Sequence, residues 1–310
     1  MHHKLSTFLK STYGEKIYRL SLTSGCSCPN RDGSIIMPNG ERSFHGCTFC
    51  SEGGSGDFAV PVTGIGVSEL NEQFERAKDK VRQKTDANKF IAYFQSFTNT
   101  YGDVNRLKEL YSAVIKREDV VALSLGTRPD CIGRDVLDML KELNQIKPVW
   151  VELGLQTIHE KTAISINRGY ELKVFEDAYK RLKEAGIVVI VHVILGLFGE
   201  TKEDMLETVR YLSRLTPVLD GIKLQNLQLL KGTQLYRQYL EMSEAERPSF
   251  MNMEEYTDLV AECIALLPEE TVIHRMTGDG PRKLLVEPLW SLDKKRVLNT
   301  LTRKCKGILE

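Results

Sequence analysis

The run Val188-Val189-Ile190-Val191-His192-Val193-Ile194-Leu195, closed by Gly196-Leu197-Phe198-Gly199-Glu200, decides the fold class. All of the run except His192 is apolar, and most of it is β-branched. A strand with one face in water alternates polar and apolar; an unbroken run belongs to a strand covered on both faces, as in parallel sheets. Helical periodicity flanks it over 172–185, stopped by Gly186, and over 202–215, where Thr201 is placed to cap the N-terminus. Working outward, strands are expected at 16–23, 89–95, 120–126, 149–155 and 221–225, with helices at 67–84, 104–116 and 135–143. Six strands alternating with helices imply right-handed parallel crossovers and an α/β fold, either doubly wound or a complete or partial barrel. The alternation itself does not choose. From about residue 231 the pattern is mainly helical (233–241, 253–267, 293–304), which reads as a cap, 231–310, packed on a barrel spanning 1–230.

Polar and glycine-containing stretches fall where strands should end, at 95–101, 126–130, 152–157 and 196–200. In parallel α/β folds such carboxyl-terminal loops build the site. Lys plus Arg and Asp plus Glu balance at 42 each in the 310 residues, so no global field draws the chain to nucleic acid or anionic lipid. No apolar run is long enough to span a bilayer, and the first residues lack a signal-peptide core. A cytoplasmic protein without membrane contact is expected, in a compartment where thiols stay reduced. Four of the seven cysteines lie between 26 and 50, which argues for metal or redox chemistry rather than disulfides.

Cys26-Ser27-Cys28 and Cys47-Thr48-Phe49-Cys50 flank an 18-residue loop. Two readings compete: four thiolates closing a structural zinc site, or three holding a 4Fe–4S cluster with one iron left open. An open iron is what reductive cleavage of S-adenosylmethionine (SAM) needs. The rest of the chain favours the cluster. The loop follows the first strand of a long β/α array, whereas zinc ribbons are usually separate small modules. Phe49 sits where it can shield a cluster edge, and Gly53-Gly54-Ser55-Gly56 permits close backbone approach.

The blocks Cys28-Pro-Asn-Arg-Asp-Gly33 and Gly46-Cys-Thr-Phe-Cys-Ser-Glu-Gly-Gly-Ser-Gly-Asp-Phe58 resemble the YhcC-like branch of radical SAM proteins, related to the catalytic subunit of elongator. Matching blocks continue at Gly126-Thr-Arg-Pro-Asp130, Val151-Glu-Leu-Gly-Leu-Gln-Thr157, Ile166-Asn-Arg-Gly169, Gly196-Leu-Phe-Gly-Glu200 and Leu230-Lys-Gly-Thr233, so the resemblance runs from about residue 14 to 300. It implies a partial, TIM-like barrel of six strands with a mainly helical C-terminal cap. It implies a 4Fe–4S cluster on Cys28, Cys47 and Cys50, with SAM as the second cofactor and a 5′-deoxyadenosyl radical as the reactive species. The gap between the first two cysteines is wider than the superfamily's usual spacing, which keeps Cys26 open as a ligand.

By the same resemblance Gln156 and Arg168 contact SAM, Arg168 through the methionine carboxylate. His192 stands where relatives meet the ribose, and Gly196 and Gly199 sit in the loop supporting adenine. Elongator-like relatives carry Glu where this chain has Gly126, so Glu152 is the candidate to supply the missing carboxylate. Arg128 and Asp130 are expected to pair with each other or with the loop, a structural role being the alternative. Substrate is expected at the barrel mouth, around Gln95, Thr98, Asn99, Tyr101, Lys223, Gln225 and residues 274–279, with Arg275 and Lys223 available for a phosphate or carboxylate. The implied substrate is a tRNA base, a side chain on wobble uridine, with an external electron donor such as flavodoxin or ferredoxin. A small metabolite, or a non-enzymatic binding protein with a four-cysteine zinc knuckle, are the alternatives. Cys131, Cys263 and Cys305 read as small apolar side chains.

Overall fold

A computed structural model describes residues 1–37, 40–54, 65–278 and 280–310. Ser55, Gly56, Asp57 and Phe58 of the glycine-rich stretch, and Asp279, lie outside the described residues. The chain begins with α1 (Leu5–Tyr13) and β1 (Ile17–Leu22), then passes through the cysteine loop to α2 (Val67–Arg82). Strand and helix then alternate: β2 (Lys89–Phe94), α3 (Val104–Ile115), β3 (Val120–Thr127), α4 (Arg134–Asn144) and β4 (Val149–Gln156). The short α5 (Glu160–Ser165) precedes α6 (Leu172–Glu184), β5 (Val188–Leu195), α7 (Lys202–Ser213) and β6 (Gly221–Asn226). Thr201 caps α7 as expected, its side chain accepting from the Asp204 N–H while the Asp204 carboxylate accepts from the Thr201 N–H.

The remaining elements are β7 (Leu229–Leu230), α8 (Gln234–Glu241), α9 (Met253–Leu266), β8 (Val272–Arg275), β9 (Leu285–Glu287) and α10 (Lys294–Lys304). The main sheet runs β1-β2-β3-β4-β5-β6-β8, every neighbouring pair parallel. A doubly wound sheet reverses its strand order partway. Here the order only advances, so successive right-handed crossovers place the helices on one face and the sheet curls around the other. The result is a half-barrel. It has seven strands where the sequence expectation had six. The seventh, β8, comes from the region expected as a helical cap; four residues ending in His274-Arg275 are too few for a periodicity to register.

Leu20, Leu22, Phe90, Phe94, Leu123, Leu125, Val151, Leu153, Val189 and Val191 face the helices and form the main core with residues such as Phe74, Leu110, Leu140, Phe175 and Val209. The alternate residues face inward. At the amino ends of the strands these are Ile17, Ile91, Ala122, Trp150 and Ile190, and α1 packs Leu5, Phe8 and Leu9 onto them. This helix plugs the bottom of the half-barrel. One step further along each strand the inward residues turn polar, with Arg19, Tyr93, Ser124, Glu152, His192 and Lys223. The layer above them opens into the site.

Candidate active site

The ends of the cysteine loop meet because the loop folds back on itself. The backbone N–H of Gly46 donates to Asn30 O (2.7 Å), and the Arg31 guanidinium donates to Cys50 O (3.3 Å) and Ser51 O (2.5 Å). Gly46 has φ 75, and a Cβ there would come within 2.8 Å of Arg31, so this closure needs glycine. The segment after α5 pins the loop to the barrel: Asn30 Nδ2 donates to Asn167 O (2.6 Å), Asn167 Nδ2 to Gly46 O (2.8 Å), and Thr48 N to Ile166 O (2.9 Å). The long sequence gap is thereby cancelled in space. Cys28, Cys47 and Cys50 border one cavity of about 130 Å³ at the carboxyl ends of β3, β4 and β5, together with Gln156, Arg168, Glu152 and His192.

Cys26 is not among them. It packs into the main core near Gly102, with Ser24 and Arg106 beside its thiol. A tetrahedral zinc site, with sulfurs about 2.3 Å from the metal, brings its sulfurs within about 3.8 Å of one another. Among the described residues no three cysteine sulfurs lie within 4.8 Å of one another. The fourth thiolate of a zinc knuckle is therefore missing, and the other three are spread too widely for a single ion.

Gln156 ends β4 in a three-residue turn closed by Thr157 N to Leu155 O (2.9 Å), with φ 65. Such a turn at a residue with a side chain is rare and strained. The ladder to β5 slips between Gly154 and Gln156, and the Gln156 amide folds over Gly154, where a Cβ would meet the amide end at 2.6 Å. Arg168 holds this turn. Its Nη1 donates to Leu155 O (3.2 Å) and Thr157 O (2.7 Å), its Nε to Tyr170 O (3.0 Å), and its Nη2 meets the Glu160 carboxylate at 3.4 Å. Arg168 thus contacts the backbone on either side of Gln156.

Gly126 and Glu152 are partners across β3 and β4, so a carboxylate does stand beside the position that lacks one. It is heavily engaged. Glu152 Oε1 accepts from Ser124 Oγ (2.9 Å), and Oε2 accepts from His192 Nε2 (2.9 Å) and from Lys223 Nζ. Lys223 also donates to Tyr93 OH (2.9 Å), and Arg19 lies 3.9 Å from Glu152 while donating to His274 Nδ1 (2.8 Å). Burial works against ionisation of Glu152, but Lys223, His192 and Arg19 hold its carboxyl well below the usual carboxylate range. Sequence reasoning missed this layer. It placed Lys223 at the mouth, whereas its side chain has no exposure. The available signal was Arg19, a charge alternating inward between Tyr18 and Leu20.

A second cavity, about 150 Å³, adjoins the first and shares Phe49, Gln156 and His192 with it; Gln95, Gln225 and Arg275 contribute to its wall. Asn99, expected at the mouth, is structural: its amide donates to the Phe94, Ser96 and Gly126 carbonyls. Tyr101 bonds Asp32 on the outer side. Gly196 (φ 88) borders neither cavity, and its N–H points to Met205 Sδ at 2.9 Å. Arg128 and Asp130 pair as expected, through Nε–Oδ1 (2.9 Å) and Nη2–Oδ2 (2.8 Å).

Residues 41–212 match the family model described as the radical SAM superfamily, and residues 219–306 match that of the radical SAM C-terminal domain. The chain belongs to the radical SAM superfamily. It is 40% identical over 306 residues to the Bacillus subtilis protein YtqA, covering 99% of this chain and 90% of that one. It is 36% identical over 284 residues to Escherichia coli YhcC, covering 91% and 85%. The fold matches that of the archaeal Elp3 of Methanocaldococcus infernus, with a TM-score of 0.63 at 17% identity, over 79% of this chain and 62% of that one.

Radical SAM enzymes use a 4Fe–4S cluster and SAM. The donor set fits the first of these: three thiols around one cavity, none forming a mononuclear trio, and a fourth side bordered by Gln156 and His192 rather than by sulfur. Among the described residues no helix is long and apolar enough to cross a membrane.

Burial, reinforced by the positive charge of Lys223, pushes His192 down to about 4, so its ring is neutral near pH 7. The unfolded chain, at the ordinary value of 6.5, takes up the proton first as pH falls. The contribution is full above about 6.5 and is lost toward about 4, amounting to up to about 3 kcal/mol. Urea unfolding of the cluster-free protein should show a lower midpoint at pH 5 than at pH 7. His192→Gln should shrink that difference, and an undiminished acid loss in the variant would refute the assignment. His274, likewise pushed down by burial, accounts for part of the remainder.

Proposed function

We propose that this radical SAM enzyme modifies a tRNA base, at a side chain on wobble uridine, with the reacting group seated in the second cavity. The observation that carries the reading is the shared wall: Phe49, Gln156 and His192 border both cavities, so a group in one lies against whatever fills the other. A chamber of about 150 Å³ offering the carboxamides of Gln95 and Gln225 and the guanidinium of Arg275 suits a compact polar group rather than a long apolar chain. The motif resemblance to elongator's catalytic subunit supports tRNA as the source of that group.

When bound, the cluster and SAM supply the one-electron chemistry that opens an unreactive C–H bond. The protein's part is position and exclusion of water. In this reading Cys28, Cys47 and Cys50 hold the cluster, and Gln156 meets SAM from its strained turn, kept in place by Arg168. Neutral His192 is a hydrogen-bonding group at the junction of the two chambers, and Arg275 with Gln225 (Nη1 to Oε1, 3.2 Å) orients the substrate. Enzymes of this superfamily need an electron donor; a flavodoxin or ferredoxin suits the role.

The test is nucleoside profiling of tRNA from a deletion strain. One modified uridine should disappear in favour of its precursor, and the parent gene should restore it while a Cys47→Ser gene should not. An unchanged profile would sink the tRNA reading and favour a small polar metabolite.

A further inference from the structure

Arg128 stands between the cysteine cavity and the turn that carries Gln156. Its side chain is only 10% exposed and lines the same cavity as Cys28, Cys47 and Cys50. Every guanidinium nitrogen is committed. Nε and Nη2 take the two oxygens of Asp130, Nη1 donates to Arg168 O (2.8 Å), and the plane lies over the Tyr170 ring with its centre 5.0 Å away. The cation cannot swing aside, and a guanidinium does not deprotonate in proteins.

The Arg128–Asp130 pair is oriented. Arg128 lines the cavity with Cys28, Cys47 and Cys50, whereas Asp130 borders a different pocket, with Tyr101 and Cys131. The positive end therefore faces the cavity and the negative end faces away. Three thiolates leave an oxidised 4Fe–4S cluster net negative, and reduction adds a further negative charge. In a poorly hydrated site a fixed cation favours the reduced state, because net charge and hydrogen bonds at the sulfurs set the potential.

We propose that Arg128, oriented by Asp130, is the fixed positive charge that raises the reduction potential of the cluster held on Cys28, Cys47 and Cys50. The proposal rests on that ligand assignment and is independent of the substrate. It makes Arg128 a tuning residue that sets how readily an external donor can load the electron.

The test is a potentiometric titration of the anaerobically reconstituted protein without SAM, followed by the electron paramagnetic resonance signal of the reduced cluster. Arg128→Gln should shift the midpoint to more negative potential by at least a tenfold change in the reduction equilibrium, 59 mV for one electron. Arg128→Lys, which keeps the charge, should shift it less. Asp130→Asn should shift it the other way, since it removes the opposing charge. Opposite shifts in Arg128→Gln and Asp130→Asn would establish the charge effect; a common misfolding would move both alike. The proposal is overturned if Arg128→Gln carries a full cluster at the parent potential, or if the two variants move in the same direction. A parent protein that assembles no cluster would overturn it together with the ligand assignment, an outcome distinct from a loaded cluster indifferent to Arg128.

Discussion

Replacing Cys28, Cys47 and Cys50 together with serine is expected to take the anaerobically reconstituted protein from four irons per chain to none, with loss of its colour, while Cys26→Ser retains the full complement. A serine hydroxyl is a poor substitute for a thiolate toward iron, and these three positions are the cysteines that border the cavity. Cys26 belongs to the hydrophobic core beside Ser24 and Arg106, so its replacement disturbs packing and not ligation. The apoprotein should stay folded in the triple variant. What shapes the loop is the Asn30–Asn167–Gly46 network and the Arg31 contacts to the Cys50 and Ser51 carbonyls, none of which needs a sulfur. Iron and sulfide counts with a circular dichroism spectrum check both halves. A cluster that survives the triple replacement, or one that vanishes in Cys26→Ser, would reject the assignment.

The second large effect concerns the buried pair beneath the cavity. Lys223→Met should cost about 3–5 kcal/mol in urea unfolding of the apoprotein, because it leaves the Glu152 carboxylate buried without its nearest cation, with Ser124, His192 and the more distant Arg19 as its remaining partners. Glu152→Leu should cost a similar amount by stranding Lys223, which would keep only Tyr93 as a hydrogen-bond partner. The double variant should recover most of the loss, since removing both charges also removes both desolvation costs. Both side chains have no exposure, so solvent screening does not dilute the coupling. Single variants within about 1 kcal/mol of the parent, or strictly additive losses, would show that the layer is wetter and looser than its geometry indicates.

How far the sequence could be read follows from what each feature asks of it. A strand buried on both faces leaves a continuous apolar run, so β5 was visible outright, and its five companions were read from the alternation of strand and helix around it. Their order was not, because alternation of strand and helix is shared by doubly wound sheets and barrels; the pairing of β6 with β8 needed coordinates. The three cysteines of the cavity were legible from motif resemblance. The exclusion of Cys26 depends on where the chain turns after β1, which two cysteines separated by one residue do not reveal. Lys223 alternates inward in Gly221-Ile222-Lys223-Leu224-Gln225, but its depth along the barrel depends on strand register. The turn at Gln156 was hidden for a different reason. A residue with a side chain at positive φ leaves no compositional trace, and the Arg168 contacts that sustain it come from twelve positions downstream.

Because α1 closes the amino-terminal end of the half-barrel, the cavities lie toward the rim where the strands finish. A molecule wider than that rim reacts only at what it can lower inside. A stacked base in a helical stem presents no such plumb line, whereas a nucleotide turned out of a loop does. On the tRNA reading proposed above, the reach of the extruded group, more than the breadth of the surface that delivers it, is the ruler by which one substrate is told from another.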